Sequence, residues 1–125
     1  MNVKELSQKG YDLFNAGDME SFFNDLVDDN IIWTFPGDKH PLSGTHKGKQ
    51  AMMTEMSKIP GLWDNFKVEP KLMIAEGEYV FVLAHGTATG MDADFGHLFK
   101  VQNEKISEFH ILDDSQKWAA TMKAM

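Results

Sequence analysis

The sequence predicts an α+β domain, with N-terminal helices packed on a curved, mostly antiparallel sheet that encloses a pocket. Three observations lead there. Helical apolar periodicity is confined to the first half of the chain, and strand-like segments separated by tight turns fill most of the rest. A length of 125 residues with 42% hydrophobic content suits one domain, 1–125, around a single core.

Val3, Leu6, Gly10, Leu13 and Phe14 recur at helical spacing, and Gly17-Asp18 supplies a helix stop and then an N-cap. In the second helix Met19, Phe22, Phe23, Leu26 and Val27 form one apolar stripe, and Asp28-Asp29-Asn30 ends it. Ile31 to Phe35, β-branched and aromatic, reads as a strand stopped by Pro36-Gly37. A loop carrying His40, Pro41, Gly44 and His46 leads to Gly48, which opens a third helix with Ala51, Met52, Met56 and Ile59 on one side. Pro60-Gly61 closes that helix. Methionine is flexible and polarizable, so Met52 and Met56 suit either an adaptable pocket wall or ordinary core filling. Beyond Phe66 the predicted strands are Lys67–Ala75, Tyr79–Thr89, Asp94–Val101 and Lys105–Leu112, joined too closely to be anything but antiparallel neighbours. Asp113 or Asp114 then caps a last helical turn bearing Trp118 and Met122.

A formal charge of -7 disfavours nucleic acid and anionic membranes as partners. Without cysteine there is no disulfide, thiol nucleophile or thiolate metal site, and with no long apolar run or signal-peptide core the expected location is the cytoplasm. No phosphate loop, dinucleotide fingerprint or nucleophile elbow is present, so no cofactor is expected.

The helices joined through Ala16-Gly17-Asp18, the Asp28-Asp-Asn-Ile-Ile-Trp-Thr-Phe-Pro-Gly37 segment, the Gly44-Thr-His-Lys-Gly48 approach to the third helix and the Phe99-Lys-Val to Lys105-Ile-Ser-Glu-Phe109 hairpin resemble the nuclear transport factor 2-like (NTF2-like) superfamily, and within it the SnoaL-like group. The resemblance covers nearly the whole chain. It implies a cone-shaped fold and a homodimer, in a superfamily that includes ketosteroid isomerases, polyketide cyclases, epoxide hydrolases, dehydratases and non-catalytic binding modules.

Alternation along the strands decides which side chains enter the cup. A two-residue turn at Asn103-Glu104 pairs Val101 with Ile106 and sets His97 beside His110. A three-residue loop at Gln102-Asn103-Glu104 puts His97, Phe99 and Val101 on one face with Ser107, Phe109 and Ile111. The second register, which ketosteroid isomerases resemble, is preferred. On it Val80, Val82, Ala84, Phe95, His97, Phe99, Ser107, Phe109, Ile111 and Asp113 face inward, joined by Thr34 and, at the rim, Trp33. The ligand pocket is thus assigned to Trp33, Thr34, Met52, Met56, Val82, Phe95, Phe99, Phe109 and Ile111, an apolar cup for a small hydrophobic ligand or substrate. The opposite face, with Tyr79, Phe81, Leu83, His85, Glu108 and His110, is too apolar to be wholly solvated and suggests a partner sheet.

His97 is the sharpest catalytic candidate, because an aromatic surround lowers a histidine's pKa and keeps it neutral, able to take or give a proton. Asp113 is a second acid/base candidate at the mouth, or the cap of the last turn. The resemblance places the isomerase base at Thr34, the first-helix Tyr near Gly10 and the cyclase Asp at Ile111, so none of those mechanisms transfers. Tyr11 is expected at the surface or rim. No metal site is expected, since alternation puts His85 and His110 opposite His97 and leaves His40 and His46 in a solvated loop.

Overall fold

The computed structural model describes residues 2–35, 42, 44–59 and 65–112. Three helices, α1 (Val3–Ala16), α2 (Met19–Ser21) and α3 (Lys49–Met56), pack on strands β1 (Val27–Phe35), β2 (Gly44–Lys47), β3 (Lys67–Glu76), β4 (Tyr79–Ala88), β5 (Met91–Gln102) and β6 (Lys105–Leu112). The sheet is open, in the order β2-β1-β6-β5-β4-β3. Among the described residues only β1 and β6 run parallel; the other neighbours are antiparallel, and β3 to β6 form the predicted meander.

Local chemistry sets the helix ends. Asn2 accepts from the Glu5 N–H and donates to its carboxylate, which starts α1. Gly17, at φ 77, ends it in a left-handed cap, with the N–H groups of Gly17 and Asp18 returning to the carbonyls of Phe14 and Leu13. The Asp18 carboxylate then accepts from Ser21 N–H, as its N-cap role requires.

Strand β5 starts at Met91 rather than Asp94, because Met91, Asp92 and Ala93 already pair with β4, and three further segments depart from the sequence reading. The second helix loosens after Ser21 into a π-helical turn, Phe22–Leu26, and Val27 already belongs to β1. The wide turn lets Phe22, Phe23 and Leu26 all bury, so the apolar stripe that read as continuous helix ends in extended backbone. Gly44–Lys47, read as loop, is a strand that covers the free edge of β1, with Trp33 opposite His46. His46 is therefore half-buried rather than solvated, and its Nε2–H donates to the Leu42 carbonyl.

The last hairpin also differs. Its turn has two residues: Asn103 and Glu104 both have positive φ, at 53 and 59, and Val101 pairs with Ile106. A bulge at Ser107 then shifts the register, so that Phe99 faces Phe109 and His97 faces Ile111. The turn contradicts the three-residue loop, yet the bulge restores its inward set, except that Ile106 replaces Ser107. His110 stays on the other face. The last helical turn, with Asp113, Trp118 and Met122, and residues Pro36, Gly37, His40, Pro41, Pro60 and Gly61 lie outside the described residues.

The core fills the concave side, where Val80, Val82 and Ala84 alternate inward along β4 with no exposure. Asn15 ties α1 over this face. Its side-chain carbonyl accepts from Val68 N–H at 3.0 Å and its amide donates to Val68 C=O at 2.6 Å, satisfying backbone groups on the edge strand β3. Asn15→Ala is expected to destabilise the protein by roughly 1–3 kcal/mol, the penalty of unpairing partly buried groups, read as a lower urea midpoint at unchanged slope.

Candidate functional site

α1 lies across the mouth of the cup. Its inward face is Ser7, Gly10, Tyr11 and Phe14. A Cβ at Gly10 would meet Phe22 and Leu26 at 3.6 and 3.7 Å, ordinary van der Waals contact, so Gly10 faces the π-helical turn. Beneath α1 is a cavity of about 60 Å³. Trp33 and Phe35 line it from β1, Met56 and Ile59 from α3 and its end, Phe66 and Val68 from around β3, Phe95, His97 and Phe99 from β5, and Ile106, Phe109 and Ile111 from β6. That volume exceeds the ~10–15 Å³ a water needs but falls short of the ~300 Å³ of a drug-sized site, so it suits a small guest or one that displaces the Met and Phe side chains.

Of the pocket residues read from sequence, Trp33, Met56, Phe95, Phe99, Phe109 and Ile111 line the cavity. Met52 and Val82, with no exposure, are packed in the core and are not among its lining residues. Thr34 is a correction. Inward residues of β1 are odd-numbered, so Thr34 points to the convex face, where its hydroxyl lies 2.8 Å from His110 Nδ1. Trp33 is likewise not at the rim; only 1% of it is exposed.

Polar groups are scarce around the cavity. Ser7 donates to the Val3 carbonyl within its own helix, which leaves Tyr11, His97 and the Trp33 indole N–H. Tyr11, expected at the surface, is buried, and its hydroxyl lies 2.6 Å from His97 Nδ1 with the rings nearly parallel at 5.8 Å. A polar partner of His97 is thus on the first helix, one residue past Gly10. A signal existed: Tyr11 follows Ser7 by four and precedes Phe14 by three, and shares their face.

Aromatic rings surround His97, with Phe95 and Phe109 at 4.8 Å and Phe99 at 5.8 Å. Burial pushes its pKa down to about 3 and pushes the Tyr11 phenol upward, so both are neutral around pH 7. Two proton arrangements satisfy the bond. Either Tyr11 O–H donates to Nδ1 and the imidazole proton is on Nε2, or Nδ1–H donates to the phenolic oxygen and the Tyr11 proton is free to donate elsewhere. The Trp33 N–H is different: it is buried and, among the described residues, has no hydrogen-bond partner. An unpaired buried donor costs about 1–3 kcal/mol, and native proteins leave few of them.

On the convex face His110 bridges Thr34 and Glu108, and its Nε2–H donates to the Glu108 carboxylate at 2.8 Å, which lowers the Glu108 pKa. His85 lies between Asp92 and Asp94 at 2.7 and 2.6 Å. Neither histidine shares a face with His97.

The chain matches the family described as SnoaL-like domain over residues 8–109. Nothing among curated proteins matches it. Among solved structures it is similar to Bal32a from a soil-derived mobile gene cassette, at 24% identity and TM-score 0.86, covering 96% of this chain and 95% of that one. A Xanthomonas campestris protein of unknown function with a cystatin-like fold has 21% identity and TM-score 0.87, with 99% and 100% covered. TerC, crystallised with polyporic acid, has 19% identity and TM-score 0.82, with 94% and 95% covered.

The buried histidine makes stability depend on pH. Its folded pKa lies below the unfolded value, so only the unfolded chain binds this proton between about 6.5 and about 3, and stability falls as pH drops through that window. Wild type is expected to lose on the order of 1 kcal/mol per pH unit more than His97→Gln there, measured as the difference in urea midpoints at several pH values.

Proposed function

The chain belongs to the SnoaL-like domain family, and on that footing we propose that it is a cofactor-independent enzyme that shifts a proton within a small apolar carbonyl compound. The observation that carries this reading is the buried Tyr11–His97 hydrogen bond. Burial disfavours charge on both groups, which argues against a mechanism that leaves either of them ionised. The pair can instead work bifunctionally. Nε2 takes a proton from the carbon next to the substrate carbonyl, Nδ1–H passes to the phenolic oxygen, and Tyr11 O–H protonates the substrate oxygen. The substrate becomes its enol, the pair ends in its other tautomer, and no net charge forms. Returning a proton to a different carbon completes an isomerisation; collapse of the enol onto an electrophile gives a cyclisation. TerC, which this chain resembles in fold, was co-crystallised with polyporic acid, which supports a small-molecule guest here.

A second reading, a non-catalytic binding module, draws on the small cavity and its few polar groups. Native mass spectrometry of purified protein is the route to a ligand, and turnover then separates the readings. For the enzyme, His97→Gln should lower kcat/KM about 10²–10⁴-fold and Tyr11→Phe about tenfold or more, with the fold retained by circular dichroism. Equal turnover by His97→Gln and wild type would remove the catalytic role. Asp113, the other acid/base candidate, lies outside the described residues.

The protein is also proposed to pair with itself through the convex face. Leu72, Ile74, Tyr79, Leu83 and Leu112 are exposed there, contiguous across β3 to β6 by strand register. Gel filtration at micromolar concentration should show a dimer that Leu83→Lys converts to monomer.

A further inference from the structure

We infer that the Trp33 indole N–H is a ligand-positioning donor, so that the guest of this cavity carries oxygens at two opposite ends of a small ring. This rests on the reading of Tyr11–His97 as the polar end of the site, and adds a second end. Trp33 lines the cavity and its N–H is buried without a partner among the described residues. With the side chain 1% exposed, bulk water does not satisfy this group, and a guest oxygen in the cup is the partner this inference supplies. His46, against the indole face at 5.3 Å, has its Nε2 engaged with the Leu42 carbonyl.

The two polar ends are separated by the sheet itself. Trp33 is on β1 and His97 on β5, with β6 between them; Trp33 lies in register with Phe109 and Phe99, and His97 two residues further along, a spacing of roughly 12 Å at the backbone from two interstrand steps and that offset. Phe109 of β6 lies between, its ring 6.3 Å from the indole and 4.8 Å from the imidazole. The floor between the two donors is therefore apolar and about one ring wide. A cyclic 1,4-dicarbonyl or hydroxy-carbonyl compound matches it: one oxygen accepts from Trp33, the other meets Tyr11–His97, and the ring rests on Phe109. A hydrocarbon leaves both ends unpaired, and a monocarbonyl leaves one.

The test uses cyclohexane-1,4-dione, cyclohexanone and cyclohexane, titrated into ¹⁵N-labelled protein. The sequence has three tryptophans, Trp33, Trp63 and Trp118, and the indole cross-peak lost in Trp33→Phe identifies the one that matters. The dione should move the Trp33 indole N–H downfield, and Trp33→Phe should weaken dione binding about threefold to tenfold more than it weakens cyclohexanone binding. A dione that shifts the His97 ring signals but not the Trp33 indole overturns this inference and leaves the Tyr11–His97 reading standing. So does equal dione affinity in wild type and Trp33→Phe. A dione that moves neither group, or binds no better than cyclohexane, overturns both. Because the indole shift is read in wild-type protein, the inference does not depend on how well the variant folds.

Discussion

The hydrogen bond between Tyr11 and His97 joins residues 86 apart in sequence, and it sets what the cup can be. Each of its members is polar, each is enclosed by apolar side chains, and neither has its charge favoured by any neighbour. A buried hydrogen bond adds only about 0.5–1.5 kcal/mol net, but leaving either group unpaired costs about 1–3 kcal/mol, so the two residues stabilise one another by need more than by attraction. That need fixes the position of α1 over the sheet together with the Asn15 clamp one helical turn further on. The geometry of the cavity follows from these two ties.

The sheet supplies the complementary constraint. With a two-residue turn and no bulge, the register of the last hairpin would put His110 opposite His97, and the inward face of β6 would carry Glu108, His110 and Leu112 in place of Phe109 and Ile111. The bulge at Ser107 prevents this by shifting the strand one residue before the cavity begins. Phe109 then stacks on Phe99 at 4.7 Å and forms the floor that both His97 and Trp33 contact. A single extra residue near a tight turn thus decides whether the cup is aromatic or half polar.

Much of the fold was legible because its patterns are local. Lys105–Leu112 matches its predicted strand to the residue, and the Gly17-Asp18 break is read directly from helix-cap chemistry. What escaped depended on tertiary contacts. Val27 has a helical position in the apolar stripe but is extended because the π-helical turn ends before it. β2 has little strand character of its own, Gly44-Thr-His-Lys, and exists because β1 offers it an edge. Thr34 was placed inward beside Trp33 but points to the convex face, one residue of alternation, the smallest error a strand permits and the one with the largest effect on a site. Tyr11 was legible only to a reading that centred the helix face on Ser7 and Phe14. Its link to His97 is long-range and has no local trace.

The central claim is that His97 is a neutral imidazole held by Tyr11 inside an apolar cup. Nitrogen-15 NMR of the histidine rings across a pH titration from about 8 to about 4 reads this directly, because protonation and tautomer each move the two ring nitrogens distinctively. The account predicts that the His97 ring does not titrate over this range, with one ring nitrogen as donor and the other as acceptor, and that its signals change in Tyr11→Phe. A His97 that titrates near pH 6.5, or is indifferent to Tyr11→Phe, would contradict it.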